Sequence, residues 1–298
     1  MKLRLGVIGT SAGNGHPYSW SAIFNGYEPK EMAECGFPAI PVYLSRQNFP
    51  EDQIPDATVT HVWTQSYEES KKIATACRVP VISRRPEELI GEIDAILLAR
   101  DDVETDERNS LIELYLKAGV PLFVDKPLAL SQLAALRYLE KVAFPWQLFS
   151  ASALGFAPEL SEFRARITSS AVRYVQGLSP KSWNHYAVHC IEPAVSVLPP
   201  QGHIAKSVVS NTDSSNILTL QWESGLQATF ATVSNCTTRV SLAIYFDDGP
   251  VSVCFLDTFG AFRNTLKAFV EQVKTKTLHP SQRTLLDVIA IVEAGCNT

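Results

Sequence analysis

Leu122-Phe123-Val124-Asp125-Lys126-Pro127-Leu128 is an apolar run that ends abruptly in a carboxylate, an amine and a proline. Phe123 and Val124 read as the close of a buried strand. Pro127 cannot donate to a ladder and biases its predecessor towards extended backbone, so the sheet stops there. In open α/β sheets, ligands bind beyond the carboxyl ends of the strands. A lysine at that point is held beside a ligand, with a pKa open to tuning. The alternative is an ordinary surface lysine in a strand-to-helix turn.

Upstream, the chain repeats this form. Leu3 to Gly9 is a short buried strand running into Thr10-Ser11-Ala12-Gly13-Asn14-Gly15-His16. A helix follows, with Pro17 in its first turn and Trp20, Ile23 and Phe24 on one face. Strand, glycine-rich turn and helix open a dinucleotide-binding unit, whose backbone N–H groups receive a pyrophosphate. The spacing departs from G-x-G-x-x-G: counted from Gly9, Ser11 and Asn14 stand where glycines belong. Serine is small and asparagine tolerates left-handed backbone, so Gly9, Ser11, Gly13, Asn14 and Gly15 form the pyrophosphate candidates.

Residues 27–57, with prolines at 29, 38, 41, 50 and 55, read as an inserted loop. Val59 to Trp63 is the second parallel strand, and Thr64, Gln65 and Ser66 after it should meet the adenosine ribose. They include no acid, which points towards NADP, or towards a site that holds no nucleotide. No arginine adjoins this turn in the sequence to grip a 2′-phosphate. Ile93 to Ala99 is a strand apolar on both faces, as parallel strands are. It ends in Arg100, Asp101 and Asp102; acids suit a helix start, whereas Arg100 on a strand tip is a candidate for an anionic group.

Downstream, Ser131 opens a helix to Val142. Phe144-Pro145-Trp146 then reads as the crossing from a first domain, 1–145, into a second, 146–298, which begins with a strand at 147–151. Strands at 171–178, 204–210, 217–222, 227–233, 239–245 and 251–255 follow with alternating or β-branched patterns, which implies a largely antiparallel sheet. Helices at 259–275 and 282–294 close the chain. One helix interrupts the strands at 182–193, placing His185, His189 and Glu192 on a single face. Three readings stay open there. His-x3-His-x2-Glu is a possible metal site without an evident second ligand set. The histidines can equally be half-buried and merely hydrogen-bonded. Or one is an acid/base group facing a ligand.

The 298 residues, 46% hydrophobic and 19% charged, are enough for two domains with real cores. A net charge of −5 leaves no basic footprint, so nucleic acid is not expected as a partner. Six cysteines lie scattered with no C-x-x-C, as in a reduced, cytoplasmic protein. No apolar run approaches the roughly 18 residues needed to span a bilayer. The early first strand is expected to leave no room for a signal peptide.

These pieces, in this order, resemble the Gfo/Idh/MocA family (glucose–fructose oxidoreductase and inositol dehydrogenase) over essentially the whole chain. The strongest motif is Asp125-Lys126-Pro127 after Ala118-Gly119-Val120, where the family usually has Glu-Lys-Pro after a similar Ala-Gly. His189 matches the histidine of the family's Asp-x3-His pair and Glu192 the acid that often follows. His185 occupies the place of the aspartate. The segment Arg100 to Asp102 also departs from the small and proline or asparagine residues usual there.

The resemblance implies an N-terminal Rossmann doubly wound parallel sheet and a C-terminal α/β domain with an open, mostly antiparallel sheet. That sheet's exposed face commonly packs on another copy, so a homo-oligomer, dimer or tetramer, is expected. It implies NADP or NAD as cofactor, held by the glycine turn with Thr64, Arg100, Asp125 and Pro127. Lys126, His189 and His185 are the implied catalytic groups, with Tyr186 beside a sugar-like small molecule; no metal is implied. The implied reaction passes a hydride between the nicotinamide and a CH–OH or C=O carbon of a sugar, sugar nucleotide or polyol. The alternative is a non-catalytic nucleotide- or sugar-binding sensor or regulatory relative. The irregular turn and missing aspartate favour it; retention of Lys126 and His189 together opposes it.

Overall fold

Short apolar runs become buried strands in the computed structural model, which describes residues 2–103 and 105–296. β1 (Leu3–Ile8), β2 (Ala57–Trp63), β3 (Val81–Ile82), β4 (Ala95–Leu98), β5 (Leu122–Val124) and β6 (Leu148–Ser150) pair side by side in the order β3-β2-β1-β4-β5-β6. Every pairing is parallel. This is the doubly wound arrangement, whose order reverses between β1 and β4.

Helices α1 (His16–Asn25), α2 (Pro29–Ala33), α3 (Ala39–Leu44), α4 (Tyr67–Ala76), α5 (Asp106–Lys117) and α6 (Gln132–Leu139) fill the connections. The proline-rich region 27–57 is therefore not simply a loop. Pro29 stands in the first turn of α2 and Pro38 is the N-cap of α3, positions where a missing N–H does no harm. The strand at 148–150, expected to open the second domain, is the last strand of the first sheet, with Leu122 opposite Leu148 and Val124 opposite Ser150. All three of its residues are buried although the strand lies at the edge of the sheet. Trp20, Phe123, Phe149 and Phe269 form an aromatic core here, with centroids of contacting rings 4.9 Å (Trp20–Phe123) and 5.3 Å (Phe123–Phe149) apart.

The second sheet contains β7 (Val172–Pro180), β8 (Ile204–Asn211), β9 (Ser215–Trp222), β10 (Gln227–Val233), β11 (Ser241–Phe246) and β12 (Gly249–Cys254), ordered β12-β11-β7-β10-β9-β8. It is antiparallel except where β7 meets β10. Helices α7 (Ser161–Arg166), α8 (Trp183–Tyr186), α9 (Val188–Val197) and α11 (Leu285–Cys296) accompany it, whereas α10 (Thr258–Thr275) starts in this part of the chain and from Leu266 onward belongs with the first sheet. Alternation decides which face is covered: Val175, Leu218, Phe230 and Ile244 are fully buried in one cluster with Ile191, Ala194 and Ile291. The other face carries exposed Val208, Ile217 and Tyr245.

By internal contacts the chain forms two units. The first is Met1–Asp125, Arg137–Ser150 and Leu266–His279; the second is Lys126–Leu136, Ala151–Thr265 and Pro280–Thr298. Among the described residues, no helix is long and apolar enough to cross a membrane.

Candidate functional site

In the first unit, the chain leaves β1 and β4 at the point where strand order reverses, the place where such sheets take ligands. Gly9 adopts φ +76°, and a Cβ there would lie 2.7 Å from the Arg100 side chain, so glycine is required twice over. The Thr10 backbone is clasped by the Gln65 amide, which accepts its N–H (3.0 Å) and donates to its carbonyl (2.8 Å). The Ser11 hydroxyl donates to Asp101, whose N–H returns to Ser11 Oγ at 3.3 Å. A Cβ on Gly15 would meet Ile40 at 2.6 Å and Phe37 at 2.8 Å, so this glycine serves close packing.

Asn14 ties the turn to β5. Its Nδ2 donates to Asp125 Oδ2 at 2.8 Å, and its Oδ1 accepts the His16 N–H at 2.9 Å. His16 Nδ1 meets the same Asp125 oxygen at 2.5 Å. Asp125 is almost fully buried, and its carbonyl accepts from Arg108 Nη2 at 3.0 Å. Arg108, also buried, donates Nε to the Arg100 carbonyl at 3.0 Å. One guanidinium thus braces the ends of β4 and β5.

The apex of the turn fits a pyrophosphate. Ala12 and Gly13 are exposed, Gly13 has φ +76°, and nothing lies within 4 Å of where its Cβ would be. Backbone N–H groups there can approach an anion with no side chain in the way, at the entrance to α1. Arg100 is placed differently from expectation. It is buried and paired with Asp102 and, at 2.7 Å, with Glu107, so its charge is met within the protein.

Thr64 is also turned inward. Its N–H donates to Ser70 Oγ at 2.8 Å and its hydroxyl to the Ser66 carbonyl at 2.7 Å, which closes the strand-to-helix turn. An arginine does adjoin this turn. Exposed Arg84 holds its guanidinium 3.7 Å from the ring centroid of Tyr67, the first residue of α4. An arginine stacked on an aromatic ring is pre-oriented for a phosphate. Sequence adjacency could not reveal it, because Arg84 arrives from beyond β3.

In the second unit, buried Lys126 is joined to buried Pro127 through a cis peptide. Lys126 Nζ lies 5.6 Å from the Tyr186 ring centroid. The helix expected at 182–193 is two helices, α8 and α9, meeting at Ala187. His189 lies edge-on to Tyr186 at 5.1 Å, and its Nδ1 shares a 2.8 Å hydrogen bond with Ser152 Oγ. Ser152 is fully buried, and its N–H donates to Glu192 Oε2 at 2.6 Å. Burial pushes the Glu192 carboxyl up to about 8, against the opposing pull of the Ser152 N–H.

His185 does not join this group. Its ring is exposed and its Nδ1 lies 3.1 Å from Ser182 Oγ. The geometry therefore gathers Lys126, Tyr186 and His189 with Ser152 and Glu192, and leaves His185 outside. Ser152 carried no signal in the sequence, since a lone serine after a short strand is unremarkable until it meets a histidine from another element. Among the described residues, no group of three His, Cys, Asp or Glu could hold a metal ion.

A doubly wound sheet with a glycine turn at its switch point, followed by an open mixed sheet, defines a class: dinucleotide-binding proteins with an appended α/β unit. Residues 3–143 match the profile of the GFO_IDH_MocA family, described as an oxidoreductase family with an NAD-binding Rossmann fold. Its cofactor class is accordingly a nicotinamide dinucleotide.

Solved structures share the fold along the chain. Myo-inositol dehydrogenase from Corynebacterium glutamicum is 13% identical with a TM-score of 0.72, covering 99% of this chain and 95% of its own. The myo-inositol dehydrogenase from Lactobacillus casei, solved with NAD(H) and myo-inositol, is 13% identical with a TM-score of 0.71, covering 99% and 93%. A Gfo/Idh/MocA family oxidoreductase from Vibrio cholerae is 14% identical with a TM-score of 0.70, covering 99% and 97%. Comparison with curated proteins gave no match.

Proposed function

We propose that this chain oxidises a CH–OH carbon, or reduces the corresponding carbonyl, of a sugar, sugar nucleotide or polyol, with NADP preferred over NAD. The observation that carries the reading is the grouping of Lys126, Tyr186 and His189, with His189 Nδ1 held by buried Ser152. A histidine so oriented is suited to general acid/base work. With Nδ1 engaged, Nε2 is the nitrogen assigned to the substrate hydroxyl proton. Lys126 polarises the reacting oxygen and stabilises negative charge that develops on it. The nicotinamide, when bound, supplies the hydride acceptor or donor.

The Gly9–Gly15 turn holds the pyrophosphate at its exposed apex, and Asp125, through Asn14 and His16, keeps the turn in shape. Arg84 over Tyr67 supports the preference for a 2′-phosphate. The substrate class is supported by the Lactobacillus casei neighbour, which was solved with myo-inositol. The second unit also takes another copy of the chain. Across its open face Ala243, Gln176, Thr229, Thr219 and Val208 stand in register, a row of small, polar and apolar side chains suited to a flat interface. Scattered cysteines with no C-x-x-C spacing fit a reducing cytoplasm.

A panel of sugars and polyols, followed by nicotinamide absorbance, tests the reaction. At least one should turn over, and Lys126→Ala and His189→Ala should each lower kcat by about a hundredfold or more while leaving NADPH affinity nearly unchanged. Turnover indifferent to both substitutions would refute the assignment. So would saturable sugar binding with no turnover, which is what a sensor would show.

A further inference from the structure

Two lysines of the second unit approach one aromatic ring, that of Tyr186. Lys181 Nζ lies 4.2 Å from the Tyr186 ring centroid and donates to the Tyr186 hydroxyl at 2.5 Å. Lys126 Nζ lies 5.6 Å from the same centroid. The two ammonium groups are therefore within about 10 Å of each other, a separation at which salt screens like charges only in part. His189 leans on that ring too. Glu192, on the same helix as His189, is turned to the Ser152 amide, and burial raises its carboxyl pKa to about 8.

Lys181 is placed there against its own backbone preference. It follows β7 with φ +64°, a left-handed conformation that costs a lysine free energy, and its N–H is held by the Val233 carbonyl at 2.9 Å. Here the residue under strain is the one whose ammonium reaches back to the Tyr186 hydroxyl.

We propose that Lys181 and the Tyr186 hydroxyl form a subsite for an anionic group, carboxylate or phosphate, so that the enzyme takes an acidic sugar or polyol in preference to its neutral counterpart. This rests on the assignment of Lys126 and His189 to the reacting carbon: with Lys126 at the reacting oxygen, the substrate's permanent charge falls to Lys181. An ammonium recognises either anion as a point charge, without demanding the planar two-point contact that arginine makes.

Matched pairs test it: D-glucuronate against D-glucose, and myo-inositol phosphate against myo-inositol. Binding is measured by calorimetry and thermal shift on the full chain, with and without NADPH. The acidic member of one pair should bind at least tenfold more tightly than the neutral one. Lys181→Gln should abolish that preference and Lys181→Arg should keep most of it; which pair responds tells carboxylate from phosphate. The proposal is overturned by equal or tighter binding of the neutral members, by no binding of either acid, or by a preference that Lys181→Gln leaves intact. NADPH titration of the same samples separates the outcomes. Normal NADPH binding without acid preference removes the subsite and leaves the dinucleotide reading standing.

Discussion

Replacing Glu192 by glutamine should make the protein more stable at pH 8 and leave it unchanged at pH 4.5. The carboxyl is pushed from 4.5 to about 8 by burial. A raised folded-state pKa means that the folded protein binds the proton more tightly than the unfolded chain does. The associated stability is complete below pH 4.5 and is lost progressively as pH rises towards 8. At about 1.4 kcal/mol per unit, the full shift corresponds to a ceiling of about 5 kcal/mol. The side chain is only partly shielded from solvent, so water reduces this, and about 2–3 kcal/mol is expected. Glutamine keeps an oxygen for the Ser152 N–H, which now donates to Glu192 at 2.6 Å, and cannot ionise. Melting curves across this pH range should coincide at the acid end and separate by roughly 3–5 °C at the alkaline end, with the variant higher. Parallel curves, or a variant less stable at pH 8, would refute the reasoning.

Other sites give independent tests. Arg84→Ala should weaken NADPH about tenfold and NADH by less than about threefold if the stacked guanidinium takes the 2′-phosphate as proposed; equal losses in fluorescence titrations would contradict this. Ser152→Ala removes the partner of His189 Nδ1, and kcat should fall about tenfold or more with KM little changed. The histidine limb of its pH–rate profile should also move, and an unchanged profile would leave Ser152 a merely structural role. Arg108→Met leaves the Arg100 and Asp125 carbonyls without their guanidinium donors and should destabilise by about 3 kcal/mol. A denaturation midpoint within error of the parent would show that the brace is dispensable.

Much of the fold is legible because its signals are local. Runs such as 95–98 and 122–124 are apolar on both faces, as parallel strands are, and Glu223-Ser224-Gly225 marks a hairpin that the structure contains between β9 and β10. What escaped depends on partners distant in the chain. His16 meets Asp125 across 109 positions, and Ser152 meets His189 across 37. Helical periodicity placed His185 with His189, yet the joint at Ala187 and the Ser182 hydroxyl leave the first exposed. Arg100 and Thr64 looked available because a linear reading cannot see that Asp102, Glu107 and Ser66 already receive their donors. β6 is three residues long, too short for any pattern to say which sheet it joins.

The most direct test of the account is a titration of the purified protein with NADPH and NADH, following nicotinamide fluorescence and melting temperature together. A ligand bound only by the folded state at about a hundredfold excess over Kd adds about 2.7 kcal/mol. The account predicts saturable binding of both, NADPH the tighter, with a rise of several degrees in melting temperature and loss of both signals when Gly13, the exposed apex of the turn, is replaced by a bulky residue. Absence of any fluorescence change or stabilisation by either nucleotide at millimolar concentration would contradict it.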